Sequence, residues 1–173
     1  MSAAKSDTLA VIFDMPFIID GYNLLHLIQK HTEGAESINE VQLCHMIGRY
    51  LRIIGEKAEI VFDGVGPPEK MPLENVYNTE VIFVGTGTDA DTVIENKINA
   101  NSAPKRLIIV SSDQRIRKAA KAKKAASVKS EKFWADLQKK MDRKKIVKEP
   151  AQKRHGLSES ETKQWLEFFN LEQ

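Results

Sequence analysis

The chain has 173 residues, 26 Lys and Arg against 24 Asp and Glu, a formal net charge of +2 and one cysteine. That length buries a core without cross-links, and the lone Cys44 offers neither a disulfide framework nor a zinc knuckle, which points to a reducing cytoplasm. No stretch reaches the roughly 18 apolar residues of a membrane helix, and the first residues lack a basic start followed by a long apolar run, so a cytoplasmic protein with no membrane partner is expected.

In chain order, Phe17-Ile18-Ile19 is a short apolar run that stops at Asp20-Gly21, the pattern of a buried strand entering a turn. Tyr22 to Gln29 reads as a helix, and Val41 to Ile54 puts Leu43, Ile47, Leu51 and Ile54 on one face of a second. Ala58 to Phe62 is the next strand, ending at Asp63-Gly64 before the loop Val65-Gly66-Pro67-Pro68. Val76 to Val84 reads as a third strand running into Gly85-Thr86-Gly87. Thr88 then opens a helix through Ala90, Val93, Ile94 and Ile98 that stops before Pro104. Leu107 to Val110 is a fourth buried strand, delivering Ser111-Ser112-Asp113 to another helix. Ala126 to Val128 makes a short fifth, ahead of a helix with Phe133, Trp134 and Leu137. Beyond a lysine-rich stretch around Pro150, Ser158 and Glu161 form a capping box on a separate helix whose apolar side is Trp165, Phe168 and Phe169. Strands alternating with helices imply an α/β fold, a three-layer domain with a mostly parallel central sheet flanked by helices, plus a C-terminal helical appendage.

The carboxylates recur at one kind of place. Asp20, Asp63 and Asp113 each follow the C-terminal end of an apolar strand, and the pair Asp89 and Asp91 follows the third. In an open parallel sheet those ends share the edge where ligands bind. Asp91 and Glu95 are four apart and project from one helix face. Taken singly, each has an ordinary role: Asp20-Gly21 and Asp63-Gly64 as turn dipeptides, Asp113 as a helix cap, Asp91 as the third residue of a capping box opened by Thr88. Capping does not account for Glu95 one turn in, nor for Asn23 three residues after Asp20. Carboxylates clustered at low dielectric call for cations, and oxygen ligands select Mg2+ or Mn2+ over zinc. The fitting chemistry is phosphodiester hydrolysis, which needs no side-chain nucleophile. His26, His31, His45 and His155 show no metal spacing, and Gly85 and Gly87 lack the remainder of a dinucleotide fingerprint or P-loop.

Phe-Ile-Ile-Asp20-Gly-Tyr-Asn23, Val-Phe-Asp63-Gly, Thr-Asp-Ala-Asp91-Thr-Val-Ile-Glu95 and Val-Ser-Ser-Asp113 together resemble, in order and spacing, the NYN domain of the PIN-like nuclease superfamily, most closely its YacP-like branch. The resemblance covers roughly residues 16 to 140 and divides the chain into an N-terminal extension (1–15), an NYN/PIN-like nuclease domain (16–142), and a basic linker with the C-terminal amphipathic helix (143–173). It implies a PIN-like sheet, a Mg2+ or Mn2+ site and endoribonuclease activity, in some YacP-like members on ribosome-bound mRNA. Carried over by position, it implies Asp20, Asp91 and Asp113 as the metal-binding core, with Asn23 and Glu95 in support and Asp63 nearby.

Charge is unevenly distributed. Residues 1–113 hold 9 Lys and Arg against 16 Asp and Glu; residues 114–154 hold 16 against 4, a local excess of 12; residues 155–173 hold 1 against 4. Arg115, Arg117, Lys118, Lys121, Lys123 and Lys124 follow Asp113, and Lys139, Lys140, Arg143, Lys144 and Lys145 form a second cluster. A basic flank beside an acidic metal site suits an RNA nuclease: cations grip phosphates along the strand while the metal site receives one of them. The expected partners are RNA and the ribosome. The alternative is a non-catalytic RNA- or ribosome-binding adapter, against which the joint presence of Asp20, Asp91 and Asp113 argues. A DNA or flap nuclease is disfavoured by the short chain, which has no evident arch or helix-hairpin-helix segment.

Overall fold

Four consecutive buried residues, Phe17–Asp20, form β1, which is covered on both faces and lies at the centre of the sheet. This computed structural model describes residues 16–31, 38–69 and 71–148; the N-terminal extension and the C-terminal helix with Trp165 lie outside them. After β1 come α1 (Gly21–His31), α2 (Glu40–Ile54), β2 (Ala58–Phe62), α3 (Met71–Glu74), β3 (Thr79–Phe83) and α4 (Ala90–Ala100). A short 3-10 turn (Pro104–Arg106) leads to β4 (Ile108–Val110), α5 (Gln114–Ala122), β5 (Ala126–Val128) and α6 (Ser130–Lys148). Two compact units are distinguished, 1–135 and 136–173, so α6 begins in one and continues in the other. Among the described residues no helix is long and apolar enough to cross a membrane.

The five strands run parallel in the order β3-β2-β1-β4-β5. Alternation within them divides the core. Ile18, Val61 and Ile109 face Ile94 and Ile98 of α4 and Ile116 and Ala120 of α5. On the opposite face α1 and α2 pack against β1, β2 and β3, and Phe133 at the start of α6 meets the rings of Phe17 and Tyr50 at 6.1 and 5.4 Å. Helices thus cover both faces, as the alternation of strands and helices implies.

Among the boundaries that differ from the sequence reading, two have a clear local cause. The third strand begins at Thr79 rather than Val76, because Asn78 adopts a left-handed conformation (φ 51) that interrupts the extended chain. Val76, freed from the sheet, is buried and packs against Gly48 of α2, where an added Cβ would lie 2.7 Å from it. The cap of α4 is Asp89, not Thr88: its carboxylate accepts the Thr92 N–H at 2.7 Å and the Thr92 hydroxyl at 2.9 Å.

The connections decide where a site can form. From β1 the chain steps to β2 and β3 on one side, and then α4 carries it across to β4 on the other. The strand order therefore reverses between β1 and β4, and at that switch point the C-terminal strand ends border a crevice.

Candidate active site

At the end of β1, Asp20 is only 7% exposed. One carboxylate oxygen accepts the Asn23 N–H at 3.1 Å, and the other accepts the Ser111 hydroxyl at 3.0 Å. Ser111, fully buried at the end of β4, also accepts the Asp113 N–H on its Oγ at 3.0 Å. One hydroxyl thus ties Asp20 to the backbone that presents Asp113. Burial, with smaller contributions from the Asp91 and Asp63 carboxylates, outweighs these hydrogen bonds and pushes the Asp20 pKa up to about 6.

The other carboxylates are placed by helix starts. Asp113 caps α5, its Oδ1 accepting the N–H groups of Arg115 at 2.6 Å and Ile116 at 3.3 Å. Asp63, past β2, accepts the Ala90 N–H at 2.7 Å and so joins the β2 end to the first turn of α4. Asp91, in that turn, makes no side-chain hydrogen bond among the described residues. Its pKa is raised by desolvation and then by Asp113, with Arg115 opposing and Asp89 and Asp63 adding to the rise. Asp20 therefore feels the charges of Asp91 and Asp63, and Asp91 those of Asp113 and Asp63, so Asp91 is the member that connects the set.

Two expected residues meet each other. Both oxygens of Glu95 are held by Arg115, through Nε and Nη2 at 2.9 Å each. The same guanidinium donates to Thr92 Oγ1 at 3.3 Å and lies 3.8 Å from Asp89. Arg115 thus faces the acidic edge, while Arg117 donates to Ser127 at 3.3 Å and Lys118 and Lys121 are exposed on α5. Lys144 and Lys145 lie in α6, with side chains outside the described residues.

Asn23 accepts the Ser112 N–H at 3.0 Å and the Ser130 hydroxyl at 2.7 Å on its side-chain oxygen. Ser111, Ser112 and Ser130 escape sequence reasoning as site-building residues. The Ser-Ser before Asp113 is a weak signal, whereas Ser130, 107 residues from Asn23, gives none. Tyr22 is less open than its place beside Asp20 suggests: its hydroxyl donates to Glu40 at 3.0 Å, one ring face stacks on His26, and its ring packs edge-on with Phe62.

Whether these residues suit a divalent cation can be judged from their donors. The set is all oxygen, the preference of Mg2+ or Mn2+, and the buried Asp20 carboxylate has no cationic partner among the described residues. No three His, Cys, Asp or Glu side chains among the described residues are grouped as a ready-made cage. Mg2+ is commonly held by one or two carboxylates while keeping several waters, so the donors fit that mode and not a dehydrated cage.

The YacP-like NYN domain matches residues 17–170 of the chain. Among solved structures the chain is similar to the crystal structure of Rae1 (YacP) from Bacillus subtilis, with a TM-score of 0.61 and 21% identity over 89% of this chain and 91% of that one. A mutant of the same Bacillus subtilis protein matches with a TM-score of 0.58 and 21% identity, covering 80% and 87% of the two chains. A search of curated protein sequences finds no match.

Proposed function

The chain belongs to the family of YacP-like NYN domains, a nuclease-type fold, and from that premise we propose that it is a metal-dependent endoribonuclease hydrolysing RNA phosphodiester bonds. One observation supports the proposal: carboxylates from four separate places in the chain are linked at the strand ends, Asp20 with Asp63 and Asp91 and Asp91 with Asp113 through their charges, and Asp20 with the Asp113 backbone through Ser111. Burying Asp20 among like charges costs stability and serves no packing purpose, a pattern typical of functional sites.

In this reading Asp20, Asp91 and Asp113 would hold Mg2+ or Mn2+, one or two of them directly and the rest through its waters, with Asp63 adjoining and Glu95 acting through Arg115. Such a cation supplies charge neutralisation at the phosphate and lowers the pKa of a water nucleophile. The chain's own residues do the rest. Ser111 fixes the separation of Asp20 and Asp113 through its two hydrogen bonds. Asn23 orients the RNA beside Asp20. Arg115, Arg117, Lys118, Lys121, Lys144 and Lys145 grip flanking phosphates, with ribosome-associated mRNA as the substrate form. Cys44 is no alternative nucleophile, because burial pushes its thiol up to about 12.

An adapter that binds RNA or the ribosome without cleaving it is favoured by one feature: Arg115 already neutralises Glu95 and approaches Asp89. Cleavage of a labelled single-stranded RNA with Mn2+, with Mg2+ and with EDTA, alongside Asp20→Asn, separates the two readings. The nuclease reading expects cleavage only with metal, reduced at least about a hundredfold in the variant, on the scale of several kcal/mol of lost charge stabilisation. RNA binding without cleavage under every cation favours the adapter.

A further inference from the structure

The amide of Asn23 is locked in one orientation by residues outside the acidic edge. An amide oxygen has two lone pairs, and both are used here: the Ser112 N–H donates at 3.0 Å and the Ser130 hydroxyl at 2.7 Å. A backbone N–H can only donate, so the oxygen and nitrogen of this amide cannot be interchanged. The polarity of the rest follows. Ser130, fully buried, donates its own N–H to Ser112 Oγ at 3.1 Å, and the Ser112 hydroxyl donates to Glu131 at 2.7 Å. Each hydroxyl proton then has one destination. Glu131, the exposed end of the chain of bonds, has its pKa lowered by the Ser112 hydroxyl, which holds the carboxylate as an acceptor.

We propose that Ser130 is a positioning residue: with Ser112 it occupies the Asn23 carbonyl oxygen, so that Asn23 offers only its NH2 group to a bound RNA. An NH2 group donates and does not ligate a cation, so its partner is an acceptor, a phosphate or sugar oxygen next to the bond being cut. Asn23 thereby differs from the carboxylates beside it, contacting substrate and not metal. Its place three residues after Asp20, with its backbone N–H on the Asp20 carboxylate at 3.1 Å, puts that donor at the site. The first residue of α6, far away in sequence, therefore tunes a group on α1.

The inference rests on the ribonuclease reading, and a double-mutant cycle in the full chain tests it separately. Ser130→Ala should lower kcat roughly tenfold with KM within about twofold, the scale of one well-placed hydrogen bond. The same substitution should have no further effect in an Asn23→Ala background. Asn23→Asp, which accepts the same two hydrogen bonds but lacks the NH2, should remain folded at the assay temperature and cleave no better than Asn23→Ala. An equal loss from Ser130→Ala in both backgrounds overturns the proposal, as does wild-type activity in Asn23→Asp. Should the wild type cut no RNA with any cation, the nuclease reading fails and the cycle is read on RNA affinity in EDTA. There, weakening by Ser130→Ala only when Asn23 is present upholds the positioning role, and its absence overturns it.

Discussion

The acidic strand edge and the basic surface of α5 stand next to each other in sequence and are built by opposite rules. At the edge three carboxylates are each placed by a specific donor: Ser111 for Asp20, the Ala90 N–H for Asp63, the first turn of α5 for Asp113. On and just after α5 the cations Lys118, Lys121, Lys123 and Lys124 are exposed and share no such framework. The first region depends on individual positions in a low-dielectric setting, and the second depends on the number of charges and is screened by salt. Arg115 belongs to both, beginning the basic run in sequence and closing on Glu95 in space.

The sharpest way to break this comparison is to titrate the edge. Asp20 has its pKa raised from the ordinary 3.8 to about 6, with burial the largest cause. The folded state therefore binds this proton more tightly than the unfolded chain. The stability it contributes is fully present below pH 4 and is lost as pH rises through 6. Asp20→Asn removes the titration, so its melting temperature should gain on the wild type between pH 4 and 7, by the equivalent of about 3 kcal/mol. Millimolar Mg2+ or Mn2+ at pH 7 should stabilise the wild type and not the variant. A difference in melting temperature that is flat with pH would show that Asp20 is not held this way.

A smaller effect tests how rigidly the edge is supported. An added Cβ at Gly21 would lie 2.4 Å from the ring of Phe62, which is fully buried and stacked on Phe83 at 5.1 Å, leaving the ring no room to retreat. Gly21→Ala should cost about 2 kcal/mol by overpacking, measured by denaturant unfolding. An unchanged midpoint would mean that the turn after Asp20 yields. The smallest effect belongs to the flank: Lys118→Ala with Lys121→Ala should flatten the salt dependence of RNA affinity by about 1.4 in log–log slope, roughly 0.7 per phosphate contact on a single strand. An unchanged slope would place the RNA elsewhere.

The central strands were legible because they are short apolar runs bounded by turn residues, and because a residue after a strand end must lie at the sheet edge whatever the details. Asp20, Asp63 and Asp113 could therefore be assigned to one edge of the sheet. Less legible were features set by one backbone angle or one distant partner. The third strand starts late because Asn78 turns left-handed, and Asp89 caps α4 where Thr88 reads as the helix start. The engagement of Tyr22 by His26, Phe62 and Glu40 is likewise set by packing.

What the amino-acid order determined by itself was local and periodic: the alternation of strand and helix, the burial of Leu43, Ile47 and Leu51, the acidic and basic halves, and the motifs that mark the family. Only the tertiary structure decided which side chains complete one another across the chain. Ser111 meets Asp20 at a separation of 91 residues, Ser130 meets Asn23 at 107, and Arg115 closes on Glu95 at 20. The reason is physical. Periodicity follows from backbone geometry that every segment carries within itself, whereas a hydrogen bond between distant groups exists only once packing has excluded water and left each donor a single acceptor.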